Sequence, residues 1–325
     1  MPRPTTLPCF TPEQKDRAHL LLAIRVAHMM GRKFEEGDWS YVYCRAKGIP
    51  EASWSNLNID VTHDNLGVEH KMLCYRSDTT LAQAFGTTLM HPSATRSIRI
   101  PSLDSDPNEA MRDILTQYGE LIRTRRTKVE EQNTNGKSAD MRTGWLLWQE
   151  SLRQFLYFEE QMVEPDPNLY YAEWVERQAG GGIRKGSKNL WIFEKVSGRK
   201  RYSITTSAGA KIQPYFDVPP PDDPNVYLFT VIGEQLAIGQ IRVWLTPGTA
   251  KELERLVGSL DINAVSEAVL KTIEKVARAE MGAVTIEEAG VSVMLREDAY
   301  RALVESFPGV SDEHCFRLLI EQFQG

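Results

Sequence analysis

The sequence predicts an α/β protein in which a mixed β-sheet is flanked by helices and followed by a helical C-terminal region. Three observations carry this expectation. Apolar residues recur at helical spacing over residues 11–36, 107–128 and 142–163; short apolar or alternating runs bounded by turn residues occur at 57–73, 189–206 and 227–245; and from Thr249 onward the pattern is mainly helical. The expected division is 1–248 for the sheet-bearing core with its inserted loops and 249–325 for the helical region.

The first helix opens at Thr11-Pro12, a capping residue followed by a first-turn proline. Its Leu20, Leu21, Ile24, Val26, Ala27 and Met30 share one long pattern that runs up to Glu36-Gly37. After Gly48-Ile49-Pro50, the stretch LNIDVTHDNLGVEHKML (57–73) reads as a hairpin, with runs Leu57 to Val61 and Gly67 to Leu73 around the turn THDNL. TRSIRIP is a strand stopped by Pro101. Residues 107–128 and 142–163 are expected as two helices, joined by the polar loop KVEEQNTNGKSADM. The second carries Trp145, Leu146, Trp148, Leu152, Phe155, Leu156 and Phe158 as core. Residues 189–206 alternate as two strands around Ser197-Gly198, and YLFTVIG with GQIRVWL gives two more around Gly233 to Gly239. PYFDVPPPDDP, between these pairs, is expected as a rigid connection outside regular structure. Gly258, Gly282, Gly290 and Pro308 break the C-terminal helices.

A hydrophobic fraction of 42% with 25% charged residues is globular composition. No run of 18 apolar residues occurs, and MPRPTTLPCF lacks the charged-then-apolar order of a secretory signal, so a cytoplasmic protein without membrane contact is expected. Cys9, Cys44, Cys74 and Cys315 have no C-x-x-C spacing and read as ordinary thiols. The net charge of −6 argues against non-specific coating of nucleic acid. Residues 184–201 nevertheless gather Arg184, Lys185, Lys188, Lys195, Arg199, Lys200 and Arg201 against one acid, Glu194, giving a basic face on an acidic protein.

The chemistry concentrates in the 57–73 hairpin. Residues two apart on a strand project from one face, so Glu69 and Lys71 share a face while Val68, His70 and Met72 take the other, and the turn brings Asp60 alongside. Two converging carboxylates suit a hard divalent cation such as Mg²⁺. The lysine supplies a charge that orients the attacking water or steadies a phosphate, an arrangement suited to phosphodiester hydrolysis.

Asp60 followed by Glu69-His70-Lys71, with apolar flanks to both acids, resembles the PD-(D/E)XK nuclease superfamily, the fold of many type II restriction endonucleases. The upstream Gly31-Arg32-Lys33-Phe34-Glu35 is similar to the G-x-x-F-E helix that often supplies a further acid there. The resemblance spans Gly31 to Tyr75, and Ile59 stands where the superfamily's name has proline. It implies a restriction-endonuclease-like core, with Asp60 and Glu69 as Mg²⁺ ligands, Lys71 as the catalytic lysine and Glu35 as an accessory acid. Glu36 is the neighbouring alternative to Glu35, and Asp64 competes for the metal role if the hairpin register shifts by one. It also implies double-stranded DNA as substrate, sequence-specific cleavage, and a homodimer to cut both strands.

Arg96 and Arg99, in GTTLMHPSATRSIRIP, and Arg184, Lys185, Lys188, Arg199, Lys200 and Arg201 are the candidate DNA contacts, the latter group with Trp191 and Phe193 packed beneath it. GGGIRKGSK lacks the arrangement of a phosphate-cradling nucleotide loop. His63 and His70 lack a metal-ligand spacing, and His70 points away from Glu69. The competing expectation is a non-catalytic binding module in which the acids and Lys71 form a surface salt-bridge cluster; a nuclease of RNA or repair intermediates is a third.

Overall fold

The computed structural model describes residues 6–29, 31–50, 59–87, 98, 100, 102–133, 136–177, 187–205, 211–276 and 290–324. A mixed sheet lies at its centre. Its path runs from β1 (Thr6–Leu7) through β6 (Gln154–Gln161), β5 (Asp140–Gln149) and β3 (Leu66–Tyr75) to β2 (Val61–His63), and β11 (Tyr227–Thr230) also pairs with β6. β3 and β5 are parallel over ten residue pairs, whereas β2 with β3 and β5 with β6 are antiparallel. A parallel neighbour requires a crossover, and the helix α3 (Pro107–Gln132) lies on that connection.

Helices cover both faces. On one, α1 (Pro12–Ala27) and α2 (Glu36–Lys47) pack Leu22, Val26, Trp39, Val42 and Tyr43 against Val61, Val68, Leu146, Phe155 and Tyr157. On the other, Ile122 and Val129 of α3 meet Met141 and Met162. The N-terminal half of α3 serves a second sheet, in the order β4 (Phe85–Thr87), β10 (Lys211–Asp217), β9 (Lys200–Thr205), β8 (Ser187–Glu194), β7 (Tyr170–Arg177). There Met111, Ile114 and Leu115 pack on Leu190, Ile192, Ile204 and Ile212. Phe216 joins the two sheets by packing on Trp145, 4.6 Å between ring centroids.

A third core holds the C-terminal part. β12 (Glu234–Ala237), β13 (Gln240–Leu245) and β14 (Val291–Arg296) form an antiparallel sheet. Against it pack α4 (Pro247–Val257), α5 (Ile262–Val276), α6 (Glu297–Ser306) and α7 (Asp312–Gln324), around Val243, Leu245, Leu253, Val265, Leu295, Leu303 and Phe316. β13 therefore shares a core with the segment after residue 248 although it precedes it, and β12 pairs with β13 at the edge of that sheet. No helix of the described residues is long and apolar enough to cross a membrane.

Several elements differ from expectation, each for a physical reason. Residues 142–163 are not a helix but the β5–β6 hairpin, turning at Leu152 with φ +59°. A strand buried on both faces shows a nearly continuous apolar run, which periodicity does not separate from a buried helix. The expected helix over 11–36 stops early, and a second helix starts where it was expected to end. The Thr11–Gln14 capping box opens α1 as its sequence suggests, but α1 ends at Ala27, Gly31 takes φ +80°, and Glu36 begins α2. PYFD of the proline-rich connection belongs to β10, with Pro214 at the point where pairing passes from β9 to β4. YLFTVIG and GQIRVWL are strands in different sheets rather than a pair. TRSIRIP lies almost wholly outside the described residues.

Candidate active site

The β2–β3 hairpin closes through two residues, Asp64-Asn65, rather than the five of THDNL, because Thr62, His63 and Leu66 pair within the strands and Asp60 precedes β2; Asp64 takes φ +50°, the left-handed conformation that tight hairpin turns require. Val61 opposes Val68, Thr62 opposes Gly67 and His63 opposes Leu66; one further step of that register sets Asp60 opposite Glu69. The backbone N–H of His70 donates to Asp60 Oδ2 at 2.6 Å, fixing the carboxylate beside β3. Asp64, the other candidate acid, stands at the turn with His63 Nε2 at 3.8 Å.

Glu69 and Lys71 project together from β3 on the side that α3 covers. Both are buried, 4% and 8% exposed, whereas Asp60 is exposed, so the cluster opens toward Asp60. Lys71 Nζ donates to Glu69 Oε1 at 2.6 Å. The same oxygen meets the Nη2 of Arg125, an α3 residue only 1% exposed, at 3.4 Å. Desolvation alone would raise the Glu69 pKa, but the Lys71 and Arg125 cations outweigh it and hold the carboxyl below its usual range. Asp60 moves the other way: although the residue as a whole is exposed, desolvation of its carboxyl first, then the charges of Glu69 and Glu36, push it up to about 8. Two neighbouring acids with opposed shifts form a pair that favours one negative charge until a further cation arrives.

Of the two glutamates on the upstream turn, Glu36 is the one whose charge acts on Asp60, while Glu35 is the N-cap residue of α2. The turn is anchored by Asp38, which accepts from Arg32 at 2.7 and 2.8 Å, from Arg25 at 2.7 Å and from the Glu35 backbone N–H at 2.9 Å. Phe34 is buried against Trp148 and Phe155. These contacts fix the start of α2, from which the charge of Glu36 acts on Asp60.

His70 points into the opposite face, as alternation requires. Trp39, Tyr43 and Tyr157 surround it, and burial pushes its pKa down to about 3, so it is neutral. Behind it, Glu159 accepts from Tyr43 at 2.8 Å, Tyr157 at 2.9 Å and Arg142 at 2.9 Å, a buried carboxylate with its charge paired and its oxygens satisfied.

Two carboxylates suit Mg²⁺, which usually takes one or two from the protein and completes its octahedron with water and phosphate oxygens. Asp60 and Glu69 are the two carboxylates at this edge that could hold such an ion, Asp60 through an oxygen already fixed by the His70 N–H.

The basic candidates are divided. Arg96, Arg99, Arg184 and Lys185 lie outside the described residues. Lys188 donates to Leu103 O at 2.6 Å and lies over the Trp174 ring. Arg199 and Arg201 both bond Asp217, at 2.8 and 3.0 Å. Lys200 lies over Trp191, 3.7 Å from the ring centroid, and over Tyr215 at 4.4 Å. Lys188, Lys200 and Arg201 sit on the second sheet and Arg199 in the turn before β9, and no hydrogen bond or ion pair links them to the Asp60–Glu69–Lys71 cluster among the described residues.

Arg125 was missed by the sequence reading, although a signal existed. Met111, Leu115, Tyr118, Ile122, Arg125 and Val129 recur at alternating spacings of four and three, which puts the arginine on the apolar stripe of α3. A charge at such a position needs a buried partner, and Glu69 is it.

No protein-family model, curated protein or solved structure matches the chain.

Proposed function

We propose that this protein is a Mg²⁺-dependent endonuclease of double-stranded DNA, built on a restriction-endonuclease-like core and acting as a sequence-specific, cytoplasmic homodimer. The observation that carries the reading is the placement of Asp60 opposite Glu69 with the Lys71 ammonium on the Glu69 carboxylate. The mixed, helix-flanked sheet agrees with the core that the motif resemblance implies. Burial also favours it over a surface salt-bridge cluster. Exposed ion pairs are cheap and common, whereas enclosing a carboxylate and an ammonium costs several kcal/mol per ion, roughly, before pairing offsets it.

In this account Asp60 and Glu69 would hold the Mg²⁺, which when bound would supply Lewis-acid stabilisation of the phosphate and a lowered pKa for water. Asp60, tied through Oδ2 to the His70 backbone, keeps its place as charge accumulates. Lys71 aligns the attacking water or hydrogen-bonds a phosphate oxygen, offsetting negative charge as the phosphodiester opens. Glu36 draws cations to the mouth of the site. Two chains, each with one such site, cut the two strands.

The test is incubation of the purified protein with mixed plasmid and phage DNA, with Mg²⁺ or EDTA, beside Glu69→Ala and Lys71→Ala. Discrete fragments from the wild type with metal, and none from the variants, are expected. Intact DNA over many templates would remove the proposal, and equal cleavage by the variants would move the active site off this hairpin.

A further inference from the structure

On the reading that Asp60 and Glu69 hold a divalent cation, we propose that Arg125 is a positioning residue for Glu69. It shares Oε1 with Lys71, leaves Oε2 as the oxygen presented to the cation, and keeps Glu69 in place when Lys71 turns to the substrate. Oε1 takes both cations, at 2.6 and 3.4 Å, and no hydrogen bond or ion pair to Oε2 occurs among the described residues. Asp60 is divided in the same way, with Oδ2 held by the His70 N–H.

The two cations are not equivalent. Arg125 is fixed within the apolar stripe of α3, and Glu69 is the one acceptor recorded for its guanidinium among the described residues; its Nε has none. Lys71 sits on a flexible stem within the cluster that opens toward Asp60. A lysine that must serve the attacking water or the phosphate leaves the carboxylate during reaction, and without a second cation Glu69 would then be a buried ion free to rotate. A planar, permanently charged guanidinium on another element suits that holding role better than an ammonium does.

Simple electrostatics and positioning predict opposite signs. A positive group near a cation site repels the cation, so if Arg125 acted by charge alone its removal would tighten metal binding. If it acts by orienting the ligand, removal loosens binding despite the lost repulsion. Groups that orient metal ligands typically contribute about 10–100-fold in affinity.

The experiment titrates the full-length wild type, Arg125→Met, Arg125→Lys, Glu69→Gln and the Arg125→Met/Glu69→Gln double variant with Mn²⁺, following bound metal by electron paramagnetic resonance. Thermal melting establishes that each is folded. The wild type should bind Mn²⁺, Arg125→Met should bind roughly 10–100-fold more weakly, Arg125→Lys should fall between, and the double variant should bind no more weakly than Glu69→Gln. Should Arg125→Met fail to fold, Arg125→Lys decides: weakened binding supports the role and wild-type affinity overturns it. Equal or tighter binding by folded Arg125→Met overturns it, as does added weakening on the Glu69→Gln background. A wild type that takes no Mn²⁺ would remove the divalent-cation reading itself.

Discussion

Replacing Asp60 by asparagine should make the protein more stable near neutral pH, although it removes a residue proposed to be essential. Asparagine still offers an oxygen to the His70 N–H, so the local hydrogen bond survives while the charge does not. The carboxyl of Asp60 is raised to about 8, against about 3.9 in an unfolded chain. Below pH 4 both states are protonated and Asp60 has no effect. As pH rises from about 4 to 8 the unfolded state gives up the proton first, so stability falls across this window and the loss is complete above pH 8. Full linkage up to pH 7.5 would be about 5 kcal/mol. Asp60 is exposed, and solvent screening reduces this to about 1–2 kcal/mol. Glu160, raised to about 7, and Asp312, raised to about 6, titrate in the same interval, so the informative quantity is the difference between wild type and variant. Urea unfolding should show Asp60→Asn ahead by about 1–2 kcal/mol at pH 7.5 and by less than about 0.5 kcal/mol at pH 5. A variant that is less stable at both pH values, or ahead by the same amount at both, would refute the argument.

In the proposed role of Asp60 as a Mg²⁺ ligand, metal and proton compete for one carboxylate, so Mg²⁺ affinity should rise with pH up to about 8 and binding should release protons. Calorimetry in buffers of different ionisation enthalpy measures the release, which Asp60→Asn should abolish. Lys71→Met should lower the cleavage rate by about 10²–10⁴-fold while leaving DNA affinity in Ca²⁺ nearly unchanged, as read by digestion and fluorescence anisotropy. Gly144→Ala should destabilise the fold by about 2–4 kcal/mol in urea unfolding. A Cβ there would come within 2.2 Å of the Tyr157 hydroxyl, which donates to buried Glu159, and within 2.9 Å of His70 Cδ2. Glu36→Gln should lower the Asp60 pKa and Glu35→Gln should not, a contrast visible in carboxyl NMR titrations.

The hairpin at the site is legible in sequence because each requirement is local: apolar alternation, polar turn residues, and acid and lysine two apart. The register that sets Asp60 opposite Glu69 follows from where that turn closes. The α1 start is legible for the same reason, since Thr11, Pro12 and Gln14 carry their own capping geometry. Legibility ends where a partner is distant. GWLLW and QFLYF look helical until β5 is seen to be walled by β3 and β6 and covered on both faces. Nothing local indicates that YLFT pairs with β6 while QIRVWL pairs with β12 and β14. The second helix was hidden by a pattern carried through Gly31, although Trp39, Val42, Tyr43 and Ala46 mark a stripe of their own. Arg125 is an intermediate case: its position on the α3 stripe is visible, but its partner lies 56 residues away on β3.

The claim on which the functional account rests is that Asp60 and Glu69 hold one divalent ion beside Lys71. Anomalous diffraction from crystals soaked in Mn²⁺ tests it directly. The account predicts one peak per chain at coordination distance, about 2.0–2.3 Å, from a carboxylate oxygen of each residue. A peak elsewhere, or none at a concentration that supports cleavage, would contradict it.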